Sequence, residues 1–227
     1  MNADIQAFLF DKDGTLLDFD ATWTPAYEEA ARFASRCVMS DANRFLEMSG
    51  LDLKTRKSAA GNSEEIAEAW IAAGADFDLA DLTGHLDQIF VASMHQAKPL
   101  TGIRETVDWL LDHGYRIGVA SSDSEAAIRA FLNGSGLAPK FEFVTGYDSG
   151  HGPKPEPGMV LGFASAIDLP PAKIAVVGDN MHDIDMAMAA GAGLTIGVLT
   201  GTSAREDLEA HADIILQSAS DLPQCLS

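Results

Sequence analysis

Short apolar runs alternate with longer segments of helical periodicity along most of the chain. The first run, residues 5–10, is rich in aromatic side chains and ends at the turn-forming sequence Asp-Lys-Asp-Gly, which is typical of a short buried strand. Five later runs are similarly short and apolar, and the segments between them repeat apolar residues every three or four positions. The predicted strands are residues 5–10, 115–120, 141–145, 173–178, 194–199 and 214–216, and the predicted helices between them are residues 103–112, 124–132, 157–167 and 183–190.

This alternation of strands and helices predicts an α/β fold. A helix that connects two strands returns the chain to the same edge of the sheet, so the strands pair in parallel. Right-handed crossovers then place helices on both faces of the sheet. We therefore predict a Rossmann-like open parallel sheet as the core of the protein.

One interval lacks the strand pattern. Between residues 18 and 98 the apolar positions recur only at helical spacing, most clearly at residues 25–36, 64–73 and 79–96. Eighty residues are too many for a loop in a compact domain. We predict an inserted all-helical cap domain at residues 18–98, with the core formed by residues 1–17 and 99–227.

The net charge of the chain argues against some classes of binding partner. It carries 15 lysines and arginines against 34 acidic residues, a formal charge of −19. Nucleic acids and anionic membranes are bound mainly through clustered positive charge, so we expect neither as a partner. No stretch approaches the ~20 apolar residues of a membrane span, and the first apolar run is short for a signal peptide. We therefore expect a cytoplasmic protein, whose oligomeric state the sequence leaves open.

Four of the predicted strands are each followed by polar residues that can perform chemistry. Ligands of open α/β sheets bind at the carboxyl ends of the strands, so these four segments should meet at one edge. Each segment alone is a weak signal in so acidic a chain, but all four in this order form a strong one. The residues are Asp11 and Asp13 after the first strand, Ser121 and Ser122 after the second, Lys154 after the third, and Asp179 and Asp183 after the fourth.

These four segments resemble the motifs of haloacid dehalogenase superfamily hydrolases. The matching patterns are D-x-D-G-T-L at Asp11, a strand-ending serine, K-P-x-P at Lys154, and G-D-x-x-x-D at Asp179. The predicted insert resembles the helical cap of the phosphoglycolate phosphatase and β-phosphoglucomutase branch. The resemblance implies that Asp11 and Asp179 follow adjacent central strands, and it implies phosphoryl transfer with Mg²⁺. By analogy Lys12 occupies a variable position, and we expect no function for it.

The chemistry of the carboxylates agrees with this resemblance. The Asp11 carboxylate can attack phosphorus and form an aspartyl-phosphate, which divides one difficult step into two easier ones. Asp11, Asp179 and the backbone carbonyl of Asp13 offer the hard oxygen ligands that Mg²⁺ prefers, and Asp183 would orient the metal site. The Asp13 carboxyl is placed to protonate the leaving oxygen and later to deprotonate water.

The remaining motif residues are suited to binding the phosphoryl group. Ser121 and Ser122 can donate hydrogen bonds to its oxygens, and the position at the strand end favours the hydroxyl of Ser121. Lys154 adds positive charge where the negative charge of the phosphate is concentrated. A small phosphorylated metabolite is thus the expected partner.

Alternative functions within and beyond the family require different motif residues. Dehalogenases and phosphonoacetaldehyde hydrolases lack the second aspartate, so the presence of Asp13 argues against both. A phosphosugar mutase would keep all four motifs and remains open, as does a non-catalytic binding module on a phosphatase fold. A degenerate module would be expected to lose at least one motif residue, and all are present. Phosphatase is therefore favoured, with phosphoglycolate as the leading substrate by resemblance only.

A basic cluster in the predicted insert generates the first testable prediction. Lys54, Arg56 and Lys57 lie within four residues, and they are either a solvated patch or the group that binds a second anion of the substrate. If they bind the substrate, then Lys54→Gln, Arg56→Gln or Lys57→Gln should raise KM for a carboxylated phosphate about tenfold at one position, or ~1.4 kcal/mol of binding. The rate on para-nitrophenyl phosphate, which has no second anion, should change little. Variants that treat both substrates alike would show that the cluster has no part in specificity.

Overall fold

The structure, a computed structural model, describes residues 4–38 and 62–227, with residues 36–38 described by their backbone alone. All six predicted strands form, and they pair in parallel in a single sheet of order β3-β2-β1-β4-β5-β6. The predicted Rossmann-like α/β fold is thereby confirmed. The strands are β1 Ala7–Phe10, β2 Arg116–Ala120, β3 Phe143–Thr145, β4 Ile174–Gly178, β5 Leu194–Val198 and β6 Ile214–Leu216.

Helices connect the strands and fill the long interval after β1. Each predicted helix is found, with ends that differ from the prediction by a few residues, except that the first begins six residues earlier, at Phe19. The helices of the described residues are α1 Phe19–Val38, α2 Ser63–Ala72, α3 Leu79–Met94, α4 Ile103–Asp112, α5 Glu125–Gly134, α6 Gly158–Ala166, α7 Met181–Ala190, α8 Arg205–Glu209 and α9 Leu222–Leu226, with short 3-10 turns at Ala138–Lys140, Pro171–Lys173 and Ala219–Asp221.

The central strand β1 sets the position of the residues that follow it. Phe10 is in register with Val119 of β2 on one side and with Val177 of β4 on the other. The Asp11 amide continues the ladder by donating to the Val177 carbonyl at 2.8 Å. Asp11 and Asp179 therefore leave the same edge of the sheet from adjacent central strands, as the resemblance implied.

Apolar side chains cover both faces of the sheet. All four residues of β1 are buried, with Phe8 and Phe10 packed on one face and Ala7 and Leu9 on the other. A strand that is covered on both faces has no polar side, which explains why its sequence is a continuous apolar run. Removing one such buried phenylalanine side chain costs about 3–5 kcal/mol, so β1 is firmly anchored.

The described part of the predicted insert is helical. Helix α3 packs against α1 and α2 and also against the core helix α5. Aromatic rings join α1 to α3, with centroid distances of 4.8 Å from Trp23 to Phe90 and 5.5 Å from Tyr27 to Phe90. The chain enters and leaves this region side by side, because Leu17 and Pro99 form an antiparallel bridge. This pairing supports the predicted boundaries near residues 18 and 98, which stay a prediction.

Within residues 4–38 and 62–227, no helix is both long enough and apolar enough to cross a bilayer.

Candidate active site

Three of the predicted carboxylates meet at the carboxyl edge of β1 and β4. One oxygen each of Asp11, Asp179 and Asp183 lies within 4.8 Å of the other two, and all three residues are buried. The Lys154 ammonium joins them, because its Nζ donates to Asp11 Oδ1 and to Asp183 Oδ1, both at 2.6 Å. Residues from three loops and from the start of helix α7 thus form one buried cluster.

The electrostatics of this cluster are unfavourable for three ionised carboxylates. Burial raises the pKa of Asp11 well above its usual range; the Lys154 charge opposes this shift, while Asp183 and Asp179 add to it. Burial and the Asp183 charge raise the pKa of Asp179 to about 7. Burial alone would lower the pKa of the Lys154 ammonium, but Asp11 and Asp183 raise it above its usual value. One ammonium cannot compensate three carboxylates, so the cluster favours a further cation.

The donor atoms of the cluster fit Mg²⁺. Asp11 Oδ2 is buried and has no hydrogen-bond partner, which is costly for a carboxylate oxygen unless a cation binds it. Carboxylate oxygens are also the hard ligands that this ion prefers. Asp183, which we expected only to orient the metal site, is close enough to be a ligand itself. That the backbone carbonyl of Asp13 also binds the ion stays a prediction.

The start of helix α7 holds Asp183 in place. Asn180 is the N-cap, and its Oδ1 accepts a hydrogen bond from the His182 amide at 2.8 Å. Asp183 Oδ2 accepts in return from the Asn180 amide at 3.2 Å, which completes a capping box. The cap occupies one oxygen of Asp183 and leaves the other, Oδ1, to Lys154.

A loop after β5 supports Asp179 and was missed by the sequence analysis. The Thr202 amide and hydroxyl both donate to Asp179 Oδ2, at 2.5 and 2.9 Å. The preceding Gly201 leaves no room for a side chain, since a Cβ there would lie 1.9 Å from that oxygen. Gly14 has a φ of +72°, and a Cβ there would lie 2.5 Å from the Gly201 Cα, so two glycines allow the loops to approach Asp179. The sequence signal was the Thr-Gly-Thr that follows β5.

The Asp13 carboxylate has a different set of partners. Lys12 Nζ lies 2.7 Å from Oδ1 and 2.6 Å from Oδ2, and the Trp23 indole N–H donates to Oδ1. The Ser121 hydroxyl is 3.4 Å from Oδ2. The two predicted residues Asp13 and Ser121 are therefore brought together, as the strand-end argument required.

Lys12, for which we expected no function, is completely buried. Besides Asp13 it contacts Asp123 Oδ2 at 3.3 Å and the Met94 sulfur at 3.4 Å. Burial alone would lower the pKa of Lys12, but the charges of Asp13 and Asp123 raise it. Burial raises the pKa of Asp123 to about 6, against the opposing charge of Lys12. Neither Lys12 nor Asp123 had a distinguishing sequence signal, since only the packing shows that their side chains meet.

Most of the candidate residues, but not Lys154 or Asp183, line one cavity, whose volume including its mouth is about 480 Å³. Asp11, Asp13, Asp179 and the two predicted serines form its floor, and the described part of the insert supplies a mostly aromatic wall. The insert residues of the wall are Phe19, Trp23, Tyr27, Ser63, Ile66 and Phe90. The predicted specificity residues Lys54, Arg56 and Lys57 lie outside the described residues.

Comparisons with known proteins agree with this geometry. The sequence model of the haloacid dehalogenase-like hydrolases matches residues 5–191. The chain is 35% identical to the probable phosphatase IndB of Dickeya dadantii over 53% of each protein, and thus spans about half the length of this relative. It is 26% identical to a phosphoglycolate phosphatase of Shigella boydii over 96% of this chain and 91% of that protein. In fold it is similar to the crystal structure of a predicted phosphoglycolate phosphatase from Haemophilus somnus, with a TM-score of 0.79 at 17% identity over the whole of both chains.

The raised pKa of Asp179 generates a prediction about stability. Without divalent ions, the Asp179 carboxyl of the folded chain favours its protonated form. Its contribution to the free energy of unfolding is therefore full below its ordinary pKa of 3.8 and is lost as the pH rises through about 7. At pH 8 with a chelator, Asp179→Asn should therefore unfold at the same temperature as the wild type or several degrees higher, as about 1 kcal/mol corresponds to roughly 2–4 °C. Mg²⁺ should stabilise the wild type, increasingly between pH 5 and 8, and the variant little.

Thermal unfolding followed by circular dichroism checks this prediction. Asp185→Asn is the matched control, because Asp185 is an exposed aspartate on the same helix α7. An Asp179→Asn variant that Mg²⁺ stabilises as much as the wild type would contradict the assignment of Asp179 as a ligand.

Proposed function

The chain belongs to the haloacid dehalogenase-like hydrolase family, and we propose that it is a phosphatase that hydrolyses small-molecule phosphate monoesters through an aspartyl-phosphate on Asp11. The observation that carries this proposal is the environment of Asp11. Lys154 holds one carboxylate oxygen at 2.6 Å, while the other, Oδ2, has no hydrogen-bond partner and belongs to a cavity-lining residue. A carboxylate held in one orientation at the cavity can bind a cation through one oxygen and attack phosphorus with the other.

The first half of the proposed reaction forms the covalent intermediate. An oxygen of Asp11 forms a bond to phosphorus while the bond from phosphorus to the ester oxygen breaks. The Asp13 carboxyl gives its proton to that ester oxygen, which leaves as an alcohol. The contact between Asp13 and Ser121 supports this role, because Ser121 is the residue that we expect to bind the phosphoryl group.

The second half restores the enzyme. Asp13, now a carboxylate, takes a proton from a water molecule that attacks phosphorus. The bond from phosphorus to Asp11 breaks, and inorganic phosphate and the free Asp11 carboxylate result. Ser121, Ser122 and Lys154 would bind the phosphoryl oxygens throughout, with Lys154 held ready by Asp183.

The carboxylates of Asp11, Asp179 and Asp183 would hold Mg²⁺, which supplies the positive charge that lets an anionic ester approach an acidic site. Thr202 and the Asn180 cap keep Asp179 and Asp183 in the orientation that this requires. Their hydrogen bonds to the carboxylates are the kind of support that metal ligands commonly have.

Phosphoglycolate is the substrate that we propose first. The relative from Shigella boydii bears the name phosphoglycolate phosphatase, and its similarity extends over almost the whole chain. Lys54, Arg56 and Lys57 are the residues proposed to bind the carboxylate of such a substrate. A screen of phosphorylated metabolites with release of phosphate as the readout tests this choice.

Replacing the nucleophile tests the proposed mechanism directly. Asp11→Asn should lower kcat on para-nitrophenyl phosphate by about 10⁴-fold or more, because an amide is neither a nucleophile nor an anionic ligand. Asp185→Asn, the same change at an exposed position, should keep wild-type activity. Rapidly quenched wild-type enzyme should carry phosphate on the peptide that contains Asp11, as measured by mass spectrometry. Substantial activity in purified Asp11→Asn would refute the covalent mechanism.

The choice of cation gives a separate prediction. Activity should be lost with a chelator and restored by Mg²⁺, whereas Ca²⁺ should support little turnover. Calcium accepts more oxygen ligands at longer distances, so it can bind both oxygens of Asp11 and leave none to attack. Initial rates of para-nitrophenol release with each ion check this expectation, and equal rates with Ca²⁺ and Mg²⁺ would contradict it.

A further inference from the structure

The Asp13 carboxylate is held at both of its oxygens. Lys12 Nζ lies 2.7 Å from Oδ1 and 2.6 Å from Oδ2, and the Trp23 indole N–H donates to Oδ1. One donor belongs to the same loop as Asp13, and the other belongs to helix α1. A carboxylate that accepts from two fixed donors keeps one rotamer, since rotation would leave both donors unpaired.

Lys12 is itself fixed by its surroundings. Its side chain is completely buried, and besides Asp13 it contacts Asp123 at 3.3 Å and the Met94 sulfur at 3.4 Å. The ammonium also lies 5.1 Å from the centre of the Trp23 ring, which adds a cation–π attraction. Burying a lysine is costly, so a buried lysine beside a catalytic carboxylate needs an explanation.

Two of these contacts come from the helical insert. Trp23 belongs to α1 and Met94 is the last residue of α3, and the two helices are joined through the Trp23–Phe90 ring contact. Asp13 and Lys12 belong to the loop after β1. The orientation of Asp13 therefore depends on how the insert packs against this loop.

We propose that Lys12 and Trp23 are positioning residues that hold the Asp13 carboxyl in the orientation it needs as acid and base, and that Trp23 makes this orientation depend on the helical insert. The proposal rests on the proposed function, because it assigns Asp13 the transfer of a proton to the leaving oxygen. Lys12 and Trp23 themselves transfer no proton in this scheme. They act only through Asp13.

The leaving group provides a readout that a merely structural role would not change. A para-nitrophenolate ion is stable in water and leaves with little help from an acid, whereas an alkoxide must be protonated as it leaves. The ratio kcat/KM reports the steps up to the loss of the leaving group. A mispositioned Asp13 should therefore lower kcat/KM for an alkyl phosphate far more than for an aryl phosphate.

The experiment compares Trp23→Phe and Lys12→Met on glycerol phosphate and para-nitrophenyl phosphate with Mg²⁺. Trp23→Phe keeps an aromatic ring and removes the N–H donor, and Lys12→Met keeps most of the side-chain length and removes the charge. For both variants we expect kcat/KM to fall about 10–100-fold on the alkyl ester, since general acid catalysis contributes at least this much. On the aryl ester we expect a much smaller loss, because little protonation is needed there.

Trp70→Phe is the matched control, because Trp70 is a buried tryptophan of the insert helix α2 and does not line the cavity. It should leave the ratio of the two kcat/KM values unchanged. Equal losses on both esters in Trp23→Phe would show that the residue only supports packing, and no loss on either would show that it does not position Asp13. Either result overturns the proposal. If Lys12→Met fails to fold, Trp23→Phe still decides the question.

A measurement without turnover separates this inference from the proposed function. The chain has three tryptophans, so an NMR spectrum of the labelled indole groups shows three N–H signals, and Trp23→Phe identifies one of them. In Asp13→Ala the Trp23 signal should move upfield and exchange faster with water, while the Trp70 and Trp109 signals stay in place. An unchanged Trp23 signal would overturn the inference while the phosphatase proposal stands. If the wild type hydrolyses neither ester, the proposed function is refuted, and the catalytic part of the inference with it.

Discussion

The crowding of three buried carboxylates around the Lys154 ammonium is the constraint on which the rest of the site depends. The sheet order brings it about, because β1 and β4 are adjacent and release Asp11 and Asp179 at the same edge. The apolar packing that stabilises these strands also excludes water, and burial is the largest cause of the raised pKa values. The same apolar packing therefore stabilises the core and makes the carboxylate cluster at its edge favour a bound cation.

Two lysines that are buried in the described part of the chain give this acidic protein local positive charge. A chain with a formal charge of −19 repels a phosphate ester at long range, yet buried charges are screened by salt much less than those on the surface. Lys154 pairs with Asp11 and Asp183, and Lys12 pairs with Asp13 and Asp123. Each lysine is therefore bound to one of the two aspartates of the first motif.

The helical insert contributes more than a cover for the cavity. Its aromatic residues pack against one another across α1 and α3, and the same cluster carries the Trp23 indole to Asp13. The contacts that pack the insert therefore also orient Asp13, a catalytic candidate. An insert that supplies such contacts can exclude water from the site while it aligns the groups that react.

The sequence by itself determined the elements and pointed to the main candidate site residues. Hydrophobic periodicity is a local property, so it located all six strands, and the rule that ligands bind at the carboxyl ends of parallel strands selected Asp11, Asp13, Ser121, Lys154 and Asp179. Contacts between residues far apart in the chain were decided only by the tertiary structure. The support of Asp179 by Thr202, the approach of Asp183 to ligand distance and the burial of Lys12 depend on how loops and helices pack. No periodicity or motif records such packing, because a side chain acquires these neighbours only when the distant segments meet.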